Sequence, residues 1–133
     1  MASHLHLIRV RYAESDQMGY AHHSAFVVWL EEARIEWLRL SGHSYRELEA
    51  QGVLMPVIEV QLTYRKPFRF DDQIALTTEA VALGRSRVQF TTLFRLVGSE
   101  TVHAEGRVVI ASVDREGRPQ RIPTGLAKVL PAV

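Results

Sequence analysis

The feature that most constrains the fold is one long apolar helical pattern in a chain otherwise dominated by strand patterns. Residues 25–40 repeat apolar side chains at helical spacing, and the stripe consists of Phe26, Leu30, Ala33 and Trp37. Ser24 before this segment and Gly42 after it are residue types that often begin and end helices. Further apolar residues in its first half, Val28 and Trp29 among them, predict a helix that the rest of the protein mostly encloses.

Alternation of apolar and polar side chains with a period of two predicts one strand before the helix and several after it. An S-x-x-E sequence, Ser44 to Glu47, predicts a second, short helix. The predicted strands cover residues 7–12, a segment after Pro56, residues 73–83, a segment from Arg85 to Leu96, and about residues 101–113; one helical turn is expected after Pro123. Because successive strands are joined by turns, we expect a meandering antiparallel sheet.

One antiparallel sheet needs a cover for its apolar face, and the long helix is the element able to provide it. The predicted fold is therefore α+β: a curved antiparallel sheet wrapped around one long central helix, which is the hotdog arrangement. At 133 residues the chain has the length of one compact domain, and we expect residues 1–133 to form it.

The nearly neutral net charge argues against two classes of partner, nucleic acids and membrane surfaces. Sixteen basic and fifteen acidic side chains nearly cancel, so no global field favours nucleic acid or a membrane surface. No secretory signal or membrane-spanning apolar run is present in the sequence, and a cytoplasmic location is expected. Cysteine is absent, so catalysis must use oxygen or nitrogen groups.

Residues 14–26, ESDQMGYAHHSAF, are the most informative stretch for chemistry. They place a carboxylate, Asp16, and two histidines in a loop that leads into the long helix. Unpaired N–H groups at a helix start carry partial positive charge and can stabilise an oxyanion, while an ionised aspartate can act as a nucleophile or as a base for water. From the residues alone, a loop-stabilising Asx-turn role for Asp16 is favoured over a catalytic one.

Several ordered motifs resemble the 4-hydroxybenzoyl-CoA thioesterase-like branch of the hotdog acyl-CoA thioesterases, from about Ile8 to Pro123. The matching pieces are RVRYAESDQMGYAHHSAFVVWLEEAR at 9–34, GHSYRELEAQGVLMPV after the helix, YRKPFRFDDQI at 64–74 and GRSR at 84–87. In that family the aspartate at the position of Asp16 is the catalytic carboxylate. The backbone N–H at the position of His23 helps to polarise the thioester carbonyl.

The resemblance implies hydrolysis of an acyl-CoA thioester to free acid and CoA, without a cofactor. It also implies active sites at the interface of paired subunits, in a homodimer or homotetramer. The chain departs from the family pattern at Ala25 and Phe26, where Asn and Tyr are common, and at Tyr20 to His22, where an aliphatic pair and an aromatic residue are common. These departures bear on which acyl group is accepted.

Other candidate site residues follow from local chemistry. Gly19 and Tyr20 lie in the same loop as Asp16 and are candidate substrate contacts. Arginine and lysine suit phosphate recognition, so the basic residues that flank turns are candidates for the CoA phosphates: Arg65, Lys66, Arg69, Arg85 and Arg87. A solvated turn position explains any one of them better, and among the five Arg85 and Arg87 are favoured. His22 and His23 are adjacent, so their side chains diverge, and no metal site is predicted.

Two rival functions stay open from the sequence. A hotdog hydratase or dehydratase would use a histidine with a carboxylate, here His23 with Glu32, although Glu32 is better explained by pairing with a neighbour or with another subunit. A noncatalytic acyl-CoA-binding module of the same fold would bind CoA esters without turning them over. Phosphate-loop, G-x-S-x-G and dinucleotide-binding motifs do not occur in the sequence, which disfavours the enzyme classes that need them.

Overall fold

The computed structural model describes residues 3–132. Within that range the chain forms five strands, which make one sheet, and three α-helices. The elements are β1 (His4–Arg9), α1 (Ala25–Leu40), α2 (Tyr45–Ala50), β2 (Val57–Tyr64), β3 (Gln73–Leu83), β4 (Arg87–Leu96), β5 (Ala104–Ala111) and α3 (Thr124–Val129), with a 3₁₀ turn at Tyr12–Glu14.

The sheet has the order β1-β3-β4-β5-β2, and all four pairings are antiparallel. The predicted meander is therefore confirmed for β3, β4 and β5 but is wrong for β2, which pairs with β5 rather than with β3. The reason is that β1 runs alongside β3, from His4 opposite Thr78 to Arg9 opposite Gln73. That edge of β3 is already occupied, so β2 completes the opposite edge of the sheet.

Helix α1 lies against the concave face of this sheet and forms the centre of the core. Its side chains Phe26, Trp29, Leu30, Ala33 and Trp37 are buried. They pack in one cluster with residues from β3, β4 and β5, among them Leu76, Phe90, Phe94 and Val108. Burying each large side chain contributes about 1.5–3 kcal/mol, so this contact is the main source of stability. The predicted arrangement of one sheet around one helix is confirmed.

The predicted helix bounds, the second helix, β3 and the turn after Pro123 agree with the structure, whereas β1 and β5 are shifted or shorter. β1 begins at His4, and Tyr12, predicted on the buried face of that strand, lies in the 3₁₀ turn with 81% of its surface exposed. Ser44 caps α2 by accepting the N–H of Glu47, as its motif predicts. Among residues 3–132, no helix is long and apolar enough to cross a membrane.

Apolar side chains on β2 and on α1 are exposed in the single chain. On β2, Ile58, Val60 and Tyr64 are 53%, 42% and 47% exposed, and this strand lies at the edge of the sheet. On α1, Val27 and Val28 also face away from the sheet, so the helix is enclosed on one side and not all round.

Gly106, in the middle of β5, tests the contact between helix and sheet. A Cβ at this position would lie 2.6 Å from Leu30 Cδ2 and 3.1 Å from Leu62 Cδ2. Because these side chains are packed in or against the core, we expect Gly106→Ala to lower the free energy of unfolding by about 1–3 kcal/mol, measured by urea denaturation.

Gly125→Ala in α3 is the matched control. Its Cβ would meet the imidazole of His43, which is only partly buried and can rotate, and alanine favours the helix. We expect this variant to be as stable as the wild type or slightly more so. Equal losses of stability in both variants would contradict the close-packing explanation.

Candidate active site

The loop between β1 and α1 folds into a tight hairpin that carries Asp16. Ser15 pairs with Ala21, the Asp16 N–H donates to the Tyr20 carbonyl at 2.8 Å, and the Gly19 N–H donates back to the Asp16 carbonyl at 3.0 Å. Gly19 has φ of +82°, a conformation that favours glycine and lets the hairpin close. The Ala21 N–H also bonds the Phe68 carbonyl at 2.8 Å, which ties the hairpin to the segment between β2 and β3.

The Asp16 carboxylate is exposed but held in one orientation. Its Oδ1 accepts the N–H groups of Met18, at 2.8 Å, and Tyr20, at 3.1 Å. This is the Asx-type arrangement considered from the sequence. Across residues 3–132, Oδ2 has no hydrogen-bond partner, so one carboxylate oxygen remains available while the other fixes the side chain.

The start of α1 presents one unused backbone donor. The His22 N–H bonds the Glu14 carbonyl at 2.6 Å, and the Ser24 N–H points to His22 Nδ1 at 3.3 Å. The Ala25 N–H bonds the His22 carbonyl at 3.0 Å. In the part of the chain that the structure describes, the His23 N–H has no acceptor. The amide predicted to polarise a thioester carbonyl is therefore the one left open.

Ser24 stands at the N-cap position, as predicted, but its side chain makes no capping hydrogen bond. Its hydroxyl lies 2.8 Å from His22 Nδ1 instead. The imidazole of His22, rather than the Ser24 hydroxyl, therefore bonds a backbone N–H at the helix start. The prediction that the side chains of His22 and His23 diverge is wrong, because the two rings stack with centroids 4.4 Å apart. This gives a structural role to His22, a position that the sequence comparison left open.

A cavity of about 250 Å³ adjoins His23. It is lined by Ala21, His23, Phe26, Tyr64, Arg65, Lys66 and Pro67. Phe26 and Tyr64 form its aromatic wall, with ring centroids 4.9 Å apart in an edge-to-face arrangement. Sequence reasoning assigned no role to Tyr64, and the signal that could have identified it is the Y-R-K-P motif, whose residues converge on this cavity.

Asp16 does not line this cavity; it lines a separate one of about 420 Å³, together with Gly19, Tyr12 and Phe70. The two aromatic rings there meet edge to face, with centroids 5.4 Å apart. The structure thus places Gly19 beside Asp16, as expected for a candidate substrate contact. Tyr20 lines neither cavity, and its ring lies under the guanidinium of Arg69 at 4.9 Å.

Glu32 is not brought to His23. The two residues are separated by about 13 Å along the helix axis, and Glu32 lines a groove between β1 and α1. There its Oε2 lies 3.6 Å from Nε2 of His6. A neighbour on β1 therefore accounts for Glu32, in agreement with one of the two explanations given from the sequence.

Arg85 and Arg87 lie at the far end of the sheet from Asp16. They flank the turn after β3, whereas the Asp16 hairpin lies near the start of β3, and 11 residues of strand separate the two ends. At about 3.3 Å per residue the separation exceeds 30 Å. Within one chain the two candidate phosphate-binding residues and the candidate carboxylate do not form one site.

Glu14 joins the hairpin to the helix. Its buried carboxylate accepts the indole N–H of Trp29 at 2.8 Å, the backbone N–H of Arg11 at 2.8 Å and the Arg11 guanidinium at 3.3 Å. Burial by itself would raise the pKa of Glu14, but the hydrogen bonds from Arg11 and Trp29 outweigh it and hold the pKa below its ordinary value. The ionised form of Glu14 is thus bound to the loop and to the helix at the same time.

The curved sheet around one helix defines the class of protein as a hotdog fold. The model of the thioesterase-like superfamily matches residues 10–130, and the chain belongs to this family. The resemblance seen in the sequence and the predicted enzyme class, a thioesterase, are thereby confirmed.

Relatives and a solved structure agree with this assignment. The acyl-CoA thioester hydrolase YbgC of Escherichia coli is 31% identical over 90% of this chain and 89% of its own length. The putative acyl-CoA thioesterase YneP of Bacillus subtilis is 38% identical over 53% of this chain, and this match spans about half (51%) of that relative. The crystal structure of the hypothetical protein TT1821 from Thermus thermophilus has a TM-score of 0.85 at 36% identity, covering 95% of this chain and 93% of that one.

Replacement of the Glu14 carboxylate tests its role in stability. Since its pKa is lowered in the folded state, the charged form stabilises the fold above the ordinary pKa of glutamate, and this contribution is lost as the pH falls through the folded-state pKa. We expect Glu14→Gln to cost about 1–3 kcal/mol near neutral pH. The difference from the wild type should shrink below about pH 4.

Urea denaturation at a series of pH values measures this difference. Glu116→Gln, which removes an exposed carboxylate in the turn after β5, is the control and should show no comparable pH dependence. A Glu14→Gln deficit that stays constant from pH 7 to pH 3 would contradict a stabilising role for the charge.

Proposed function

We propose that this protein hydrolyses acyl-CoA thioesters, with Asp16 as the nucleophile or general base and the His23 N–H as the oxyanion donor. The observation that carries the proposal is the unused His23 N–H at the start of α1, which adjoins an aromatic-walled cavity. Asp16 lies seven positions earlier, on a hairpin pinned to the same helix start by the hydrogen bond from His22 to Glu14. A donor for developing negative charge and an ionisable carboxylate are what thioester hydrolysis requires.

In the proposed reaction the thioester carbonyl oxygen accepts the His23 N–H. Asp16 either attacks the carbonyl carbon itself, giving an anhydride that water then hydrolyses, or takes a proton from a water that attacks. In both cases a carbon–oxygen bond forms, the carbon–sulfur bond breaks, and the sulfur leaves as the CoA thiolate, which then takes up a proton. Because a thiolate is a good leaving group, no serine or cysteine nucleophile is needed.

The acyl-CoA substrate class is supported by the names of YbgC and YneP, an acyl-CoA thioester hydrolase and a putative acyl-CoA thioesterase. The hydrogen bonds that Asp16 makes within its own hairpin are the one observation that favours a noncatalytic acyl-CoA-binding module. The hydratase alternative loses support, because Glu32 lies about 13 Å along the helix from His23 and its Oε2 is 3.6 Å from Nε2 of His6 on β1.

The site is completed, in our proposal, by a second copy of the chain that pairs along β2. Within residues 3–132 this edge strand has no partner on one side, and its apolar side chains Val57, Ile58 and Val60 are exposed. An unprotected apolar edge of this kind favours pairing with another strand. Arg34 on α1 is also buried, its Nε has no hydrogen-bond partner within residues 3–132, and burial lowers its pKa despite the nearby Glu31 carboxylate.

Two-fold pairing along β2 would also bring the distant arginines to the site. Tyr64 marks the end of β2 near His23, while Val57 lies at the end near Arg87, as the shared pairing with β5 indicates. In an antiparallel, two-fold pair each Tyr64 end would lie beside the Val57 end of the other copy. The CoA phosphates would then be held by the partner's Arg85 and the partner's Arg87.

Asp16→Asn separates the catalytic role of Asp16 from the structural one. An asparagine Oδ1 can still accept the N–H groups of Met18 and Tyr20, so the hairpin should persist while the nucleophile or base is lost. We expect kcat to fall at least about hundredfold. Thiol release from short, medium, long and aromatic acyl-CoAs measures this, and the cysteine-free protein adds no thiol background.

Asp72→Asn is the matched control, since Asp72 also accepts a backbone N–H, that of Arg69, in a neighbouring loop. It should retain activity within a few-fold of the wild type. Full activity of Asp16→Asn would move catalysis away from this carboxylate. Binding of acyl-CoA by the wild type without thiol release from any ester would instead favour the binding module.

Mixing the Asp16 variant with a variant of Arg85 and Arg87 tests whether the arginines act across the subunit interface. We expect the double variant Arg85→Gln with Arg87→Gln to show a raised KM for acyl-CoA but an unchanged rate with an acyl-pantetheine, which lacks the nucleotide phosphates. Co-refolded with Asp16→Asn, it should recover about a quarter of wild-type activity at subsaturating acyl-CoA, because half of the dimers are mixed and each has one intact site. No recovery would mean that both sets of residues act within one chain, or that the arginines are not used.

A further inference from the structure

Tyr64 connects the end of the edge strand to the start of the central helix. Its hydroxyl donates a hydrogen bond to the His23 carbonyl at 3.1 Å, across 41 residues of sequence. The same carbonyl accepts, at 3.3 Å, the N–H of Phe26, which lies in the first turn of α1. The His23 carbonyl therefore accepts two hydrogen bonds, while the His23 N–H has no acceptor within residues 3–132.

Tyr64 is itself held in place by its surroundings. The N–H groups of Arg65 and Lys66, which follow it, both donate to the His103 carbonyl, at 2.8 and 3.0 Å. The buried His103 ring stacks on Phe68 with centroids 4.4 Å apart and planes within 4°. The end of β2 is thus fixed to β5 and to the core, and its tyrosine is not a loosely placed surface side chain.

The ring and the hydroxyl of Tyr64 have separate contacts. The ring meets Phe26 edge to face and forms part of the cavity wall. Partial burial raises the pKa of Tyr64, so the hydroxyl remains protonated and able to donate at neutral pH. Phe26, the neighbouring ring on α1, has no hydroxyl. The hydroxyl that donates to the His23 carbonyl therefore comes from Tyr64 on β2.

We propose that Tyr64 is a positioning residue: through its hydrogen bond to the His23 carbonyl it fixes the direction of the His23 N–H toward the thioester. This role rests on the proposed function. Tyr64 of the Y-R-K-P motif thereby has a proposed function that the sequence did not predict. Because rate depends steeply on the placement of an oxyanion donor, losing the hydroxyl should lower kcat and leave the binding of acyl-CoA nearly unchanged.

Tyr64→Phe removes the hydroxyl and keeps the ring that lines the cavity. We expect kcat to fall about tenfold with KM within about twofold of the wild type. Tyr45→Phe is the matched control: its hydroxyl accepts the Met55 N–H at 3.3 Å, away from the site, so this variant also loses one tyrosine hydrogen bond. It should keep the wild-type kcat.

Amide NMR of the folded protein gives a readout that does not depend on turnover. Tyr64→Phe should shift the Ser24 amide signal, whose N–H shares a peptide group with the His23 carbonyl, and speed hydrogen exchange at Phe26, whose N–H bonds that carbonyl. Tyr45→Phe should leave both unchanged. A wild-type kcat in Tyr64→Phe, or a raised KM with kcat unchanged, would overturn the positioning role alone. A wild type that hydrolyses no ester would overturn the proposed function and this role with it.

Discussion

The packing of α1 against the concave face of the sheet determines where every candidate site residue lies. Trp29, Leu30 and Trp37 fill the space between helix and sheet, and Gly106 on β5 leaves room for the Leu30 side chain to approach the strand closely. A helix fixed along its length by such contacts has a fixed N-terminus. The chemistry proposed here uses that N-terminus, so the precision of the site derives from the apolar core and not from the loop alone.

A small set of polar contacts fixes the position of the loop relative to the helix. Glu14 binds Trp29 of the helix through its side chain and His22 through its carbonyl, so it joins the core to both ends of the Asp16 hairpin. Tyr64 adds a contact from the opposite direction, at the end of β2. The backbone of His23 is therefore held between two independent supports, one on each side of the helix start.

In the single chain, several side chains lack the burial, the hydrogen-bonded partner or the neighbouring residues that their chemistry favours. Exposed valine and isoleucine side chains on β2, a buried Arg34 whose Nε has no hydrogen-bond partner in residues 3–132, and candidate phosphate-binding arginines far from Asp16 are separate observations. One two-fold pairing along β2 would account for the exposed edge and for the position of the arginines together. Because one pairing would explain both observations, we propose a site shared between two subunits.

The sequence by itself determined the elements and the family. Periodicity predicted α1 and β3 because side chains on one buried face must recur with the period of the element, and the motif around Asp16 predicted which loop matters. Tertiary structure alone decided that β2 pairs with β5, that His22 and not Ser24 supports the helix start, and that Tyr64 reaches His23. Local patterns record which face of an element is apolar, but they do not record which distant element covers it. Contacts between residues 41 positions apart depend on the path of the whole chain, and for that reason only the folded structure could supply them.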